Sequence, residues 1–319
     1  MKKNFLKVII IAAGLNPAGA TDDVLKIFST KCPDIPMGLT KIGGYNGLKI
    51  NEFSQEEGNR NHWDARPEGS SIRHMVLHYT VCDVFSALKL FTEDKKDGRV
   101  SAHYIVTERT TDFPSALPIQ VVPEHCRAWH AGISSWGGSD NLNGSSIGVE
   151  HVNKGFTEAE KEITEWFPFD PEQIRVSGRL CQTIVAAFNI RPQDVVGHSD
   201  IASGRKHDPG ILFPWKRLHD EFRVGAWLTE EEMDERIITE RFSPREPLTS
   251  GISAPFLLTY LQRYGYKVSD PAYITPENES VIRAFKAHFS KNQSPEHYNS
   301  SIDIGDMFWI WGLSSKYKD

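Results

Sequence analysis

IRHMVLHY, residues 72–79, decides the fold. The run is long enough for one buried strand and carries a histidine, His78, at its far end. Downstream, Phe85, Leu88 and Phe91 recur at helical spacing, which predicts a helix over Val84–Thr92. Short strands are expected at Ala102–Val106 (AHYIV), Ile119–Val122 (IQVV) and Ser146–Val152 (SIGVEHV). A second helix opens at Asp170. That residue suits an N-cap, Pro171 suits the first helical position, and Gln173 is spaced to complete a capping box. Leu180, Ile184 and Phe188 form its apolar stripe, flanked by Cys181 and Val185, and Pro192 lies just past its end. Val195-Val196 then reads as a short strand delivering His198 into a loop. Strands alternating with helices imply an α/β domain with a central sheet, ending near Trp227.

On either side of this domain the pattern changes. Lys2, Lys3 and Lys7 precede a short apolar run, VIIIAAGL (8–15), and Ala18-Gly19-Ala20 follows Pro17. That order reads as a secretory signal over residues 1–20, too short to span a bilayer, and implies an exported protein. Residues 21–66 read as a polar, Gly-rich N-terminal arm with a short helical stretch near Val24–Phe28. Residues 229–252, charged and then Ser/Pro/Gly-containing, read as a linker. Residues 253–319 carry three amphipathic segments, around Phe256–Leu261, Pro276–Phe289 and Ile304–Leu313, and read as a small three-helix domain. Cys32, Cys82, Cys126 and Cys181 permit up to two disulfides in an exported chain; Cys181, on an apolar helix face, reads as a core residue. The net charge of −6 over 319 residues argues against a non-specific nucleic-acid binder, and nothing after the first twenty residues approaches a transmembrane length.

Three places carry chemistry. His78 ends a buried strand, where loops build active sites. GHSDIASGRKHDPG (197–210) crowds His198, Asp200, Arg205, Lys206, His207 and Asp208 into one loop pinned by apolar sequence at both ends. So many ionisable groups need solvent, a metal or one another. Glu150 ends a third apolar strand, a place for a general base. Two histidines, one aspartate and an open fourth position make a hydrolytic zinc site, in which the pKa of water falls to about 7. A nearby Glu can move the proton and a Lys can hold an oxyanion. Spacing alone does not select the ligands, since His74, His103, His125, His130, His151 and His207 compete with any chosen set.

At these residues the chain resembles the zinc-dependent N-acetylmuramoyl-L-alanine amidases of the AmpD/AmiD kind, whose fold is shared with peptidoglycan recognition proteins. The matching stretches are VLHYT (76–80), VSAHYIV (100–106), RAWHAGIS (127–134), LNGSSIGVEHVNKG (142–155), FDPEQI (169–174), DVVGHSDIASGRKHDPG (194–210) and LFPW (212–215). They follow the family's order and cover most of residues 70–227. The resemblance implies a mixed central sheet flanked by helices in a zinc amidase domain spanning 67–228. It implies one zinc ion held by His78, His198 and Asp208, with Glu150 as catalytic carboxylate and Lys206 as oxyanion-stabilising cation. Tyr104, Trp129, His130 and Asn143 match positions near the substrate groove. The C-terminal segment, through LLTYLQRYGYKV and TPENESVIRAFKAHF, resembles the peptidoglycan-binding domain that accompanies such enzymes.

The expected activity is hydrolysis of the amide joining N-acetylmuramic acid, in its ordinary or 1,6-anhydro form, to the L-alanine of the stem peptide. Peptidoglycan or its muropeptides are the expected partners, and the periplasm or the cell wall of a secreting cell the expected place. A peptidoglycan-binding protein without turnover is the rival of a different class. A zinc endopeptidase is a second rival, weakened because the sequence has no HExxH helix.

Overall fold

His78 is carried on the strand that the opening stretch predicts, His74–Tyr79, which is buried along its whole length. The computed structural model describes residues 8–12, 37–41, 62–92, 98, 100–111, 114–159, 162–289 and 294–318. The chain divides into two units, residues 1–132 with 143–190, and residues 133–142 with 191–319.

In the first unit the strands of the large sheet are β1 (Val8–Ala12), β2 (Met37–Lys41), β3 (His74–Tyr79), β4 (Tyr104–Val106), β5 (Pro118–Gln120) and β6 (Ser146–His151). β6 runs parallel to β3 on one side and to β4 on the other. β5 is antiparallel to β4, and β1 is antiparallel to β5 and parallel to β2, so the sheet is mixed. Both β3 and β6 are buried on both faces, which is why they read as continuous apolar runs rather than alternating ones.

The two faces have different cover. Helix α1 (Val84–Thr92), at the bounds expected from its spacing, packs Val84, Leu88 and Phe91 with Ile105 and Ile119. Helix α2 (Pro171–Phe188) covers the other face, where His151 Nε2 and Ser177 Oγ lie 2.6 Å apart. Asp170 caps α2 as expected, accepting from the Glu172 N–H at 2.9 Å. Gln173 does not close a capping box. It is fully buried, and its amide donates to the Val106 and Val152 carbonyls at 2.9 and 2.8 Å, tying the helix to the sheet. Inside the protein those carbonyls have no water to turn to, so satisfying them outweighs a bond to the cap.

In the second unit, β7 (Val195–Gly197) leads directly into a one-turn helix, α3 (His198–Ile201), so His198 starts a helix rather than a loop. Helix α4 is Trp215–Phe222. The stretch read as a linker contains a 3-10 turn at Glu231–Met233 and helix α5 (Glu235–Phe242), whose Ile238 is fully buried. The expected C-terminal helices are α6 (Ala254–Tyr264), α7 (Pro276–Phe289) and α9 (Ile304–Lys316), with a short α8 (Pro295–Asn299) between the last two. Lys286 on α7 is buried, and its ammonium reaches Asp306 at 3.1 Å and the Ser300 and Ser301 carbonyls at 3.1 and 2.9 Å.

Val8–Ala12, within the run read as the core of an export signal, forms β1. The remainder of residues 1–20, the helical stretch near Val24–Phe28, most of the arm, and Cys32 lie outside the described residues. Cys82, Cys126 and Cys181 are free thiols. Cys181 is a core residue as read, and burial pushes its thiol up to about 12. Among the described residues no helix is long and apolar enough to cross a membrane.

Candidate active site

Strand register does the first part of the assembly. Glu150 on β6 is the direct partner of His78 on β3, so the two side chains stand side by side on one face of adjacent parallel strands. One residue further on, His151 pairs with Tyr79 and points to the opposite face, where it meets α2. The pleat therefore separates the candidate base from the rival ligand next to it: Glu150 shares a face with His78, and His151 does not. His78 is 2% and Glu150 9% exposed.

Behind His78 lies His130. His78 Nε2 and His130 Nδ1 are 3.1 Å apart, and His130 Nε2 lies 3.1 Å from Ser146 Oγ. Asn143 holds this segment from its backbone, its Oδ1 accepting from the His130 and Ala131 N–H groups at 3.0 and 2.7 Å. His130 and Asn143, matched by resemblance to groove positions, are both 7% exposed, and each acts here on neighbouring protein groups. Trp129 is half-buried with the Arg127 guanidinium 4.3 Å above its ring. Tyr104 is not with them. It pairs with Val149 in the register and so lies on the α2 face, fully buried, with its hydroxyl donating to Glu124 and accepting from Gln120. Sequence alternation says that successive side chains change sides, but not which side a short strand presents to the site.

The ring of His130 fits because position 148 has no side chain. A Cβ on Gly148 would stand 2.5 Å from His130 Cγ, inside any real contact. Gly148→Ala is therefore expected to displace His130 and to destabilise the protein by about 1–3 kcal/mol, as overpacking does. Urea unfolding of the variant beside the parent measures it.

Two further histidines considered as ligands are taken up by the fold. His103 Nδ1 accepts from the Gly148 N–H at 3.0 Å, which leaves Nε2 to donate to the Cys126 carbonyl at 3.1 Å. Burial, reinforced by the Arg66 guanidinium 3.1 Å from Nε2, lowers the His103 pKa to about 3. His151 is lowered to about 4, again chiefly by burial. Both stay neutral when folded, whereas an unfolded histidine takes up a proton near pH 6.5. The unfolded state thus binds more protons between about pH 6.5 and the depressed folded value, and stability falls as pH is lowered through that window. His103→Gln should remove about 1.4 kcal/mol per pH unit from the slope of unfolding free energy between pH 6 and 4. Denaturant midpoints across that range test the slope, whatever the variant's absolute stability.

The charged loop lies in the second unit. β7 ends at Gly197, where a Cβ would meet Pro209 Cδ at 2.8 Å, so glycine lets residues 208–210 fold back against the strand end. The Ser199 N–H donates to the Asp208 carbonyl at 2.9 Å and closes the loop. His198 Nδ1 and Asp208 Oδ2 are thereby brought to 3.0 Å, both groups buried. Lys206, two residues earlier, is exposed. For Asp200 the sequence offers only membership of the charged loop. Asp200 is 2% exposed and accepts from the Gly197 N–H at 2.7 Å. A carboxylate at the third position of a helical turn is a visible capping signal, and it could have found this residue.

The N-acetylmuramoyl-L-alanine amidase family profile matches residues 68–211. The N-acetylmuramoyl-L-alanine amidase AmiD of Escherichia coli K12 is 36% identical over 280 residues, covering 88% of this chain and 94% of AmiD. A structure of E. coli AmiD in complex with the substrate anhydro-N-acetylmuramic acid-L-Ala-D-gamma-Glu-L-Lys superposes with a TM-score of 0.63 at 35% identity, over 79% of this chain and 93% of that one. AmpDh3 of Pseudomonas aeruginosa in complex with an anhydromuramic pentapeptide gives 0.63 at 32% identity, over 86% and 98%. With the fold and near full-length similarity in agreement, the chain belongs to the N-acetylmuramoyl-L-alanine amidases of the AmpD/AmiD kind.

Proposed function

We propose that this protein is an exported zinc amidase that hydrolyses the bond between N-acetylmuramic acid, including its 1,6-anhydro form, and the L-alanine of the stem peptide. The observation that carries the reading is the register of Glu150 against His78, a carboxylate beside a candidate ligand at the ends of two parallel strands. The anhydromuramoyl peptides bound by AmiD and AmpDh3 support the substrate class.

His78, His198 and Asp208 are the proposed zinc ligands. The donor chemistry fits: two imidazoles and one carboxylate, all buried, would hold a zinc ion with a net charge of +1 on the centre. When bound, zinc supplies a Lewis acid that polarises the substrate carbonyl and makes water acidic enough to react at neutral pH. Glu150 takes the proton of the attacking water and returns it to the nitrogen of L-alanine as the C–N bond breaks. Lys206, on its exposed loop, places a cation for the developing oxyanion. His130, with its Nδ1 3.1 Å from Nε2 of His78, orients that ring.

The proposed organisation is a signal over 1–20, an arm over 21–66, the amidase domain over 67–228, a connecting segment over 229–252 and a peptidoglycan-contacting helical segment over 253–319. Export to the periplasm or the cell wall rests on the charge and small-residue pattern of the first twenty residues.

Purified protein is incubated with intact peptidoglycan and with anhydro-muropeptides, with and without a zinc chelator, and new ends are identified by mass spectrometry. Free peptides beginning at L-alanine, lost with chelator and restored by zinc, are expected. Release of a different amine would make it an endopeptidase, and tight binding with no new amine a recognition protein.

A further inference from the structure

The one-turn helix that carries His198 is held from the C-terminal helical segment. Asp200 lies two residues after His198, and its carboxylate is buried. Its Oδ2 accepts from the Gly197 N–H at 2.7 Å and lies 2.6 Å from Nδ1 of His288, on α7. Its Oδ1 accepts from the Tyr266 hydroxyl at 2.8 Å, in the connection between α6 and α7. A carboxylate has room for about four acceptor bonds, and burial left short of donors strongly disfavours its charged form. Two of these three donors come from beyond residue 253. The His288 ring is itself fixed, stacked on Trp215 of α4 with ring centroids 3.7 Å apart and planes 18° from parallel. The same helix approaches the loop a second time, where Ser280 lies so close to Gly204 that a Cβ there would meet its Oγ at 3.0 Å.

We propose that His288 and Tyr266 are positioning residues for the metal centre: by holding Asp200 they set the turn that aims His198 at Asp208. The segment that the sequence reads as a small peptidoglycan-binding domain thereby completes the catalytic loop, and its integrity governs metal affinity as well as polymer contact. This rests on the reading of His198 and Asp208 as zinc ligands. Gly197 links the two roles, since its N–H binds Asp200 while its bare Cα admits Pro209, next to Asp208.

The test uses the full chain with His288→Ala, His288→Asn, Tyr266→Phe and, on the exposed side of α7, Glu279→Ala. Zinc affinity is read by competition with a chromogenic chelator, folding by circular dichroism, and kcat and KM on an anhydro-muropeptide. Expected are a loss of zinc affinity of about tenfold or more in His288→Ala, a smaller loss in Tyr266→Phe, partial recovery in His288→Asn through its amide N–H, and no change in Glu279→Ala. The loss should appear in kcat at subsaturating zinc, with KM little moved. Folded His288→Ala and Tyr266→Phe proteins that bind zinc as the parent does, with only a lowered Tm, would overturn the proposal. If His288→Ala does not fold, Tyr266→Phe, which removes one hydroxyl, decides alone. A parent that binds no zinc sinks the site reading itself, whereas a zinc-binding parent with unmoved variants sinks only the link to the C-terminal segment.

Discussion

Glu150→Gln should leave the protein folded, zinc-loaded and able to bind muropeptide, while kcat falls by about 10²–10⁴-fold. The amide matches the carboxylate in shape, so β6 and its register with His78 are kept. What is lost is a group that can accept a proton from water and pass it to a leaving amine. Glu150 is 9% exposed and sits at a strand end, so bulk buffer is a poor replacement for it. The measurement is kcat on an anhydro-muropeptide with bound zinc assayed in the same sample. A fall of less than about fivefold with full zinc occupancy would remove Glu150 from proton transfer.

Asp208→Ala should act one step earlier, on the metal. Replacing an outer partner of a zinc ligand costs about 10–100-fold in affinity, and removing a ligand carboxylate should exceed that range. The variant keeps the backbone bond from Ser199 to residue 208, so the loop stays closed. It also deprives His198 of the carboxylate oxygen 3.0 Å from its Nδ1. Activity should be absent at micromolar zinc and partly recovered at much higher concentration. Zinc affinity of the parent should also fall as pH is lowered, because each ligand must shed its proton to bind. Competition titrations of both proteins from pH 8 to 5.5 would show it. Equal affinity in Asp208→Ala and parent would exclude residue 208 as a ligand.

Local order was legible wherever short-range physics decides it. Apolar spacing placed α1 at Val84–Thr92, and Asp170-Pro171 marked the start of α2, because capping and helical periodicity act within a few residues. The fully buried β3 and β6 announced themselves as continuous apolar runs. The candidate residues at 78, 150, 198, 206 and 208 came from the sequence too, as positions in an ordered set of stretches that resemble the family's. Their surroundings did not. Which of Glu150 and His151 stands beside His78 depends on register, and a slip of one residue would exchange them. The same pleat sends Tyr104 to the α2 face. Gln173 leaves its cap for two sheet carbonyls, His130 turns to His78, and Asp200 finds donors 66 and 88 residues away. Sequence by itself placed the main strands and helices and named the candidate reactive groups, since both readings draw on neighbours along the chain. Only the tertiary structure decided what each group faces, because a buried polar side chain takes whatever partner the packing brings within reach, at any separation in sequence.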